Sequence, residues 1–183
     1  MTRIQWKSLC TAIATVVVMA VAFVPVSPVR ADGPCDGPAT TILVVRHADR
    51  AGDADSLSVM GIERAQELVR VLSRARIGAI YHSDTRRTRD TAAPLAQGLK
   101  ITPGVYPAKE VKPLIERILH DHVGETVLVV GHSNTVPLII AAAGGPAVPD
   151  IDEFVYDDLY VVHVPRCGGD ATLTHLKYGK PSH

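Results

Sequence analysis

The stretch Thr41-Ile42-Leu43-Val44-Val45-Arg46-His47-Ala48-Asp49-Arg50 decides the fold. Its first five residues are β-branched or aliphatic with no polar alternation, the pattern of a strand covered on both faces. The run stops at an Arg-His pair followed by a small residue and an acidic one. The same event recurs twice. Ile77 to His82 runs into Ser83, with Arg86 and Arg87 just beyond it, and Thr126 to Val130 runs into Gly131-His132-Ser133-Asn134. Open α/β sheets bind ligands outside the carboxyl ends of their strands. Three such ends carrying His47, His132 and several arginines therefore predict one shared pocket.

The segments between these strands read as helices. Ser58 is placed as an N-cap for a helix reaching about Ala75, with Ile62, Ala65, Leu68, Val69 and Leu72 at helical spacing. A second helix is expected to open at Ser83 or Asp84 and break near Gly98. Residues 101–107 hold two prolines and at most a short strand. Val111, Leu114, Ile115, Ile118 and Leu119 mark an amphipathic helix, with His122 one turn further on the same face. An apolar helix follows Asn134 and ends near Ala143, before Gly144-Gly145-Pro146. After an acidic connection, 160–164 and 171–177 read as a closing hairpin. The expected class is α/β: a three-layer sandwich with a mostly parallel central sheet, helices on both faces and an antiparallel edge hairpin.

The first residues stand apart. Arg3 and Lys7 precede an apolar run from Leu9 to Val24, and Val29-Arg30-Ala31 has the small-residue spacing of a signal-peptidase site. Residues 1–31 are therefore expected to be a signal peptide, and 32–183 a single domain, exported to the periplasm or beyond the cell. An uncleaved membrane anchor is the alternative, because the run approaches the roughly 18 apolar residues of a spanning helix. Removing 1–31 takes away Arg3, Lys7 and Arg30 and no acidic residue, leaving 16 basic against 19 acidic side chains. A mildly acidic domain without a Lys/Arg run argues against nucleic acid as a partner. With the signal cleaved, no stable membrane insertion is expected. Cys35 and Cys167 remain, and an oxidising compartment would allow them to pair.

The strand-end residues suggest a chemistry. Arginines pair bidentately with phosphate oxygens. A neutral imidazole, with an ordinary pKa of about 6.5, is available as a nucleophile at neutral pH. A helix opening near Ser133 and Asn134 would add backbone N–H groups toward an anion. A second histidine could hydrogen-bond oxygen as charge develops on it. Together these point to phosphoryl transfer through a phosphohistidine. Gly131-His132-Ser133-Asn134-Thr135 lacks the second flanking glycine of a nucleophile elbow, which argues against a serine hydrolase. His120, His122, His163 and His175 show no zinc-ligand spacing, so neither metal nor cofactor is expected.

Arg46-His47-Ala48-Asp49 resembles the R-H-G-[E/D] signature of the histidine phosphatase superfamily, the phosphoglycerate mutase-like fold, in its small phosphohistidine phosphatase-like branch. Leu57-Ser58 with Gly61 and Ala65 resembles that family's L-[ST]-x-x-G-x-x-Q-A segment. Ser83 to Ala92 resembles its S-x-L-x-R-A-x-x-T-A segment, and Val130-Gly131-His132-Ser133 stands where it carries a second histidine. The resemblance spans about residues 41–177. It implies that His47 is the phosphorylated nucleophile, and that Arg46, Arg87 (rather than Arg86) and His132 hold phosphate, with Ser133 and Asn134 beside them. Ala48 replaces a glycine, a small change where φ is negative. Arg64 replaces a glutamine, a change expected to touch only the helix face. Many members carry a proton-donating carboxylate between the second arginine and the second histidine. Glu110 is the best-placed candidate, ahead of Glu116, with Asp49 a further one by proximity. Phosphohistidine phosphatases of this fold manage without such an acid, since a good leaving group needs little protonation. The expected activity is thus a metal-independent phosphohydrolase acting on a small phosphorylated substrate. The alternative is a catalytically silent module that binds phosphate or another anion in the same pocket.

Overall fold

The computed structural model describes residues 37–167 and 169–182. The expected signal peptide and Cys35 lie outside them, and Cys167 is exposed. Six strands and four helices follow in the order β1 (Thr40–Arg46), α1 (Val59–Leu72), β2 (Ile77–Ser83), α2 (Arg86–Leu99), β3 (Gly104–Tyr106), α3 (Val111–Asp121), β4 (Thr126–Gly131), α4 (Thr135–Ala142), β5 (Asp158–Val164) and β6 (Thr172–Lys177). They form one sheet in the order β3-β2-β4-β1-β5-β6. The first four strands of that order are mutually parallel, and β5 and β6 continue antiparallel. The α/β class, mostly parallel with an antiparallel hairpin at one edge, is as expected.

Period-two alternation along the central strands builds two cores. Ile42 and Val44 of β1, with Val127 and Val129 of β4, face Leu114, Ile115 and Ile118 of α3 and Ile139 and Ile140 of α4. Leu43 and Val45, with Leu128 and Val130, face Leu68 and Leu72 of α1 and Leu95 of α2 on the other side. Every one of these strand residues is at most 5 % exposed, which is why the strands read as continuous apolar runs. Burying each such side chain contributes about 1.5–3 kcal/mol.

Register brings the strand ends together. Arg46 lies opposite Gly131, and His82 opposite Val130, so β1, β4 and β2 expire side by side. His47 adds one more rung by donating its backbone N–H to the Gly131 carbonyl at 2.9 Å.

Several local expectations need correction. Thr85, rather than Ser83 or Asp84, stands at the N-cap position of α2, because the Ser83 side chain is drawn inward and bonded to His132 and Thr88. The first N–H groups of the helix go instead to the Asp55 carboxylate. Helix α1 does begin after Ser58, whose hydroxyl accepts the Gly61 N–H at 3.1 Å, but it ends at Leu72. The chain then reverses through Arg76, held at φ 52°. Ile62 is 54 % exposed and Arg64 is buried in its stead. His122 lies just past the end of α3 instead of continuing its face, and hydrogen-bonds the Tyr81 hydroxyl at 2.9 Å.

Candidate active site

The β1 end presents His47, 4 % exposed. Its Nδ1 lies 2.9 Å from the Ala48 carbonyl, which only accepts, so this nitrogen carries the proton and Nε2 keeps its lone pair. The loop that holds it is fixed by a residue of the α2 motif: the Ala48 N–H donates to Thr91 Oγ1 at 2.9 Å. Ala48 is fully buried and does not have positive φ, so the glycine that the family carries there is not needed by the backbone. Gly61 is needed: a Cβ at that position would run into the backbone of Asp49, which crosses over the first turn of α1.

Arg46 is 5 % exposed and firmly anchored. Its Nη1 donates to the Asp152 and Val155 carbonyls at 2.8 and 2.9 Å, and its guanidinium lies 4.1 Å above the Tyr156 ring. The connection between α4 and β5 thus supplies the socket. Tyr156 also approaches His47, ring centre to ring centre 5.8 Å. Nothing in the sequence pattern marked this connection as functional beyond its acidity.

From α2 comes Arg87, not Arg86. Arg86 turns away to Asp90 of its own helix, whereas Arg87 Nη2 sits 3.2 Å from His132 Nδ1 and Nη1 donates to Asp55 at 2.8 Å. Asp55 also takes the backbone N–H groups of Arg86 and Arg87, and those bonds hold its carboxyl below the ordinary carboxylate range. The side-chain Nε–H groups of both Arg46 and Arg87 are buried with no partner among the described residues. Orphaned cationic donors in a shared cleft are what an incoming anion satisfies.

His132, past the end of β4, faces His47 edge-on with ring centres 5.4 Å apart. A guanidinium only donates, so the contact with Arg87 makes Nδ1 an acceptor and puts the proton on Nε2. That proton is donated to Ser83 Oγ at 2.7 Å, and the Ser83 hydroxyl reaches Thr88 Oγ1 at 3.0 Å. Thr135 secures the loop by accepting the His132 backbone N–H at 2.8 Å. Burial first, then the neighbouring guanidiniums, pushes His47 down to about 3 and His132 to about 4. Both imidazoles are neutral at any ordinary pH.

The resulting cleft, about 770 Å³, is lined by Arg46, His47, Arg87, His132, Ser133 and Asn134, all expected there. It adds Arg50 and Lys109, so four cationic side chains face one carboxylate, Glu153. A domain with a net acidic sequence has thereby concentrated positive charge at one place. The candidate acids are placed otherwise. Glu110 is exposed at the start of α3 and does not line the cleft, although Ala108, Lys109 and Val111 do. Glu116 is an exposed partner of Lys112 on that helix, at 4.0 Å. Asp49 is bound by Arg64 Nε at 2.6 Å. Arg64 therefore does more than occupy a helix face. It is 4 % exposed, and its Nη1 donates to the Tyr178 and Lys180 carbonyls at 3.2 and 2.8 Å, joining the loop beside His47 to the C-terminal segment.

Residues 42–108 match the model of the histidine phosphatase superfamily (branch 1). Solved structures share the fold. The alpha-ribazole phosphatase from Shigella flexneri aligns with a TM-score of 0.59 and 16 % identity, over 75 % of this chain and 96 % of its own. The protein histidine phosphatase SixA complexed with tungstate gives 0.59 and 17 %, over 75 % and 96 %. The mycobacterial glucosyl-3-phosphoglycerate phosphatase gives 0.58 and 16 %, over 77 % and 100 %. No curated protein is similar enough in sequence to count as a match. The family model thus covers the segment from β1 to just past β3, and the whole sheet is arranged as in these structures, so the chain shares their α/β fold.

Proposed function

We propose that this protein is a metal-independent phosphohydrolase that cleaves phosphate monoesters or phosphoramidates through a covalent phosphohistidine on His47. The observation that carries the reading is the tautomer of His47. The Ala48 carbonyl holds the proton on Nδ1, leaving the Nε2 lone pair free, within a cleft whose arginines have unspent donors. Arg46 and Arg87 would bind the phosphoryl oxygens, and the neutral His47 would attack phosphorus in line with the leaving oxygen. His132, whose Nδ1 accepts from Arg87 and whose Nε2–H is held by Ser83, would keep that guanidinium aimed at the equatorial oxygens, with Ser133 and Asn134 beside it. Water then cleaves the N–P bond. The neighbours named above are an alpha-ribazole phosphatase, a protein histidine phosphatase and a glucosyl-3-phosphoglycerate phosphatase, which supports a phosphorylated substrate, and two of the three names point to a small one. The leader-like residues 1–31 support export and hence a periplasmic or extracellular substrate, with membrane anchoring the alternative.

An activated aryl phosphate supplied with a chelator tests the reading. Wild-type turnover lost by at least a thousandfold in His47→Ala, together with acid-labile phosphate trapped on the wild type, is the expected result. Phosphate binding without turnover would instead assign an anion-binding module.

A further inference from the structure

The Glu153 side chain is the one carboxylate among the residues that line the cleft. Its placement is not that of an ordinary surface charge. Asp152 and Val155, on either side of it in sequence, give their carbonyls to Arg46, so the backbone of Glu153 is registered against the phosphate-binding arginine. Arg50, from the loop after β1, reaches its Oε1 at 3.4 Å, and the charge of Glu153 acts on Arg46. The pair joins the loop that follows His47 to the α4–β5 connection that anchors Arg46. The side chain is 66 % exposed and makes no other bond, so it is free to follow a leaving group. No carboxylate between Arg87 and His132 lines the cleft.

We infer that Glu153 is the general acid and base of the phosphohistidine reaction, an inference that rests on the function proposed for His47. In the first half-reaction Glu153 leaves Arg50 and reacts in its protonated form: His47 Nε2 forms the N–P bond as the ester P–O bond breaks, and the carboxyl proton passes to the departing oxygen. In the second, the Glu153 carboxylate takes a proton from water as that water attacks phosphorus. The N–P bond breaks, inorganic phosphate leaves and Glu153 is protonated again. The donor thus lies on the far side of the second histidine in sequence, where the chain brings it back over the site.

Leaving-group dependence tests this on the purified wild type and Glu153→Gln, with Glu153→Asp as the conservative variant. General acids contribute roughly 10²–10⁴-fold, and least where the leaving group is already stable as an anion. Glu153→Gln should lower kcat/KM for a simple alkyl phosphate by about a hundredfold or more. For nitrophenyl phosphate the loss should be at least tenfold smaller, and phosphohistidine should accumulate because the attacking water has lost its base. Glu153→Asp should recover part of the alkyl phosphate rate. An equal loss on both substrates, or none on the alkyl phosphate, overturns the assignment of Glu153. If the wild type also lacks acid-labile phosphate, the His47 reading fails with it; if wild-type phosphohistidine is present, the failure belongs to Glu153 alone.

Discussion

Replacing Arg64 by methionine keeps the apolar stem of the side chain and removes the guanidinium. Three consequences follow from the structure. Asp49, with a side chain only 13 % exposed, loses its partner at 2.6 Å. The Tyr178 and Lys180 carbonyls lose their donor. The guanidinium approaching the Tyr178 ring at 5.9 Å is gone as well. Burial disfavours the charge on Arg64, but Asp49 outweighs it and leaves the arginine more firmly protonated than in water. Breaking such a pair from one side typically costs about 3–5 kcal/mol, and the small exposure of Asp49 argues for the lower end, about 3 kcal/mol. For a domain of this size that is a drop in Tm of roughly 6–12 °C. Urea unfolding of wild type, Arg64→Met, Asp49→Asn and the double variant completes the cycle. The double variant should recover at least about 1 kcal/mol, because it no longer leaves a lone buried charge. A loss below about 1 kcal/mol in Arg64→Met, or a coupling energy near zero, would refute the claim that this arginine ties the His47 loop to the C-terminal segment.

Stability should also depend on pH through the two histidines. Their pKa values in the folded state, about 3 and about 4, lie below the ordinary value of roughly 6.5, so below that pH the unfolded chain binds protons that the folded one refuses. Stability is full above pH 6.5 and falls toward pH 4, at up to about 1.4 kcal/mol per pH unit for each histidine. Urea midpoints at pH 7, 6 and 5 check this, and the same slope in a His47→Gln/His132→Gln double variant would contradict it. Ser83→Ala leaves the His132 Nε2–H without its acceptor and should lower kcat/KM about tenfold or more, the kinetic equivalent of the roughly 1–3 kcal/mol of a buried unsatisfied donor. Nitrogen-15 NMR of the imidazoles reads the tautomer directly and should show the Nε2–H form of His132 becoming less dominant. Asp55→Ala frees Arg87 and uncaps α2, costing about 1 kcal/mol of stability and raising KM several-fold; an unchanged KM would mean that Asp55 only caps.

The fold was legible because β1, β2 and β4 are buried on both faces, which leaves an unbroken apolar run followed by an abrupt polar stop. The positions of His47, Arg87 and His132 could be read for the same reason: they sit at those stops, in the order the sheet closes. Arg64 was misjudged because its meaning depends on Asp49, fifteen residues away, and on carbonyls at the far end of the chain. Helical spacing placed Ile62 inward, but the buried ion pair rotates Arg64 inward instead. Glu153, Tyr156 and Asp55 left no periodic signal. They stand on irregular connections, where a residue's surroundings are set by tertiary contacts rather than by spacing.

The socket of Arg46 has a consequence for how the domain comes into being. Its two carbonyl partners lie 106 and 109 residues further along the chain, and three more strand-to-loop crossings separate them. A chain emerging from synthesis therefore carries His47, Arg87 and His132 before it can hold Arg46 still. Contacts of such separation form late and slowly. Affinity for an anion thus becomes a reporter of completed folding, and any ligand that engages Arg46 stabilises the whole domain by mass action rather than one loop of it.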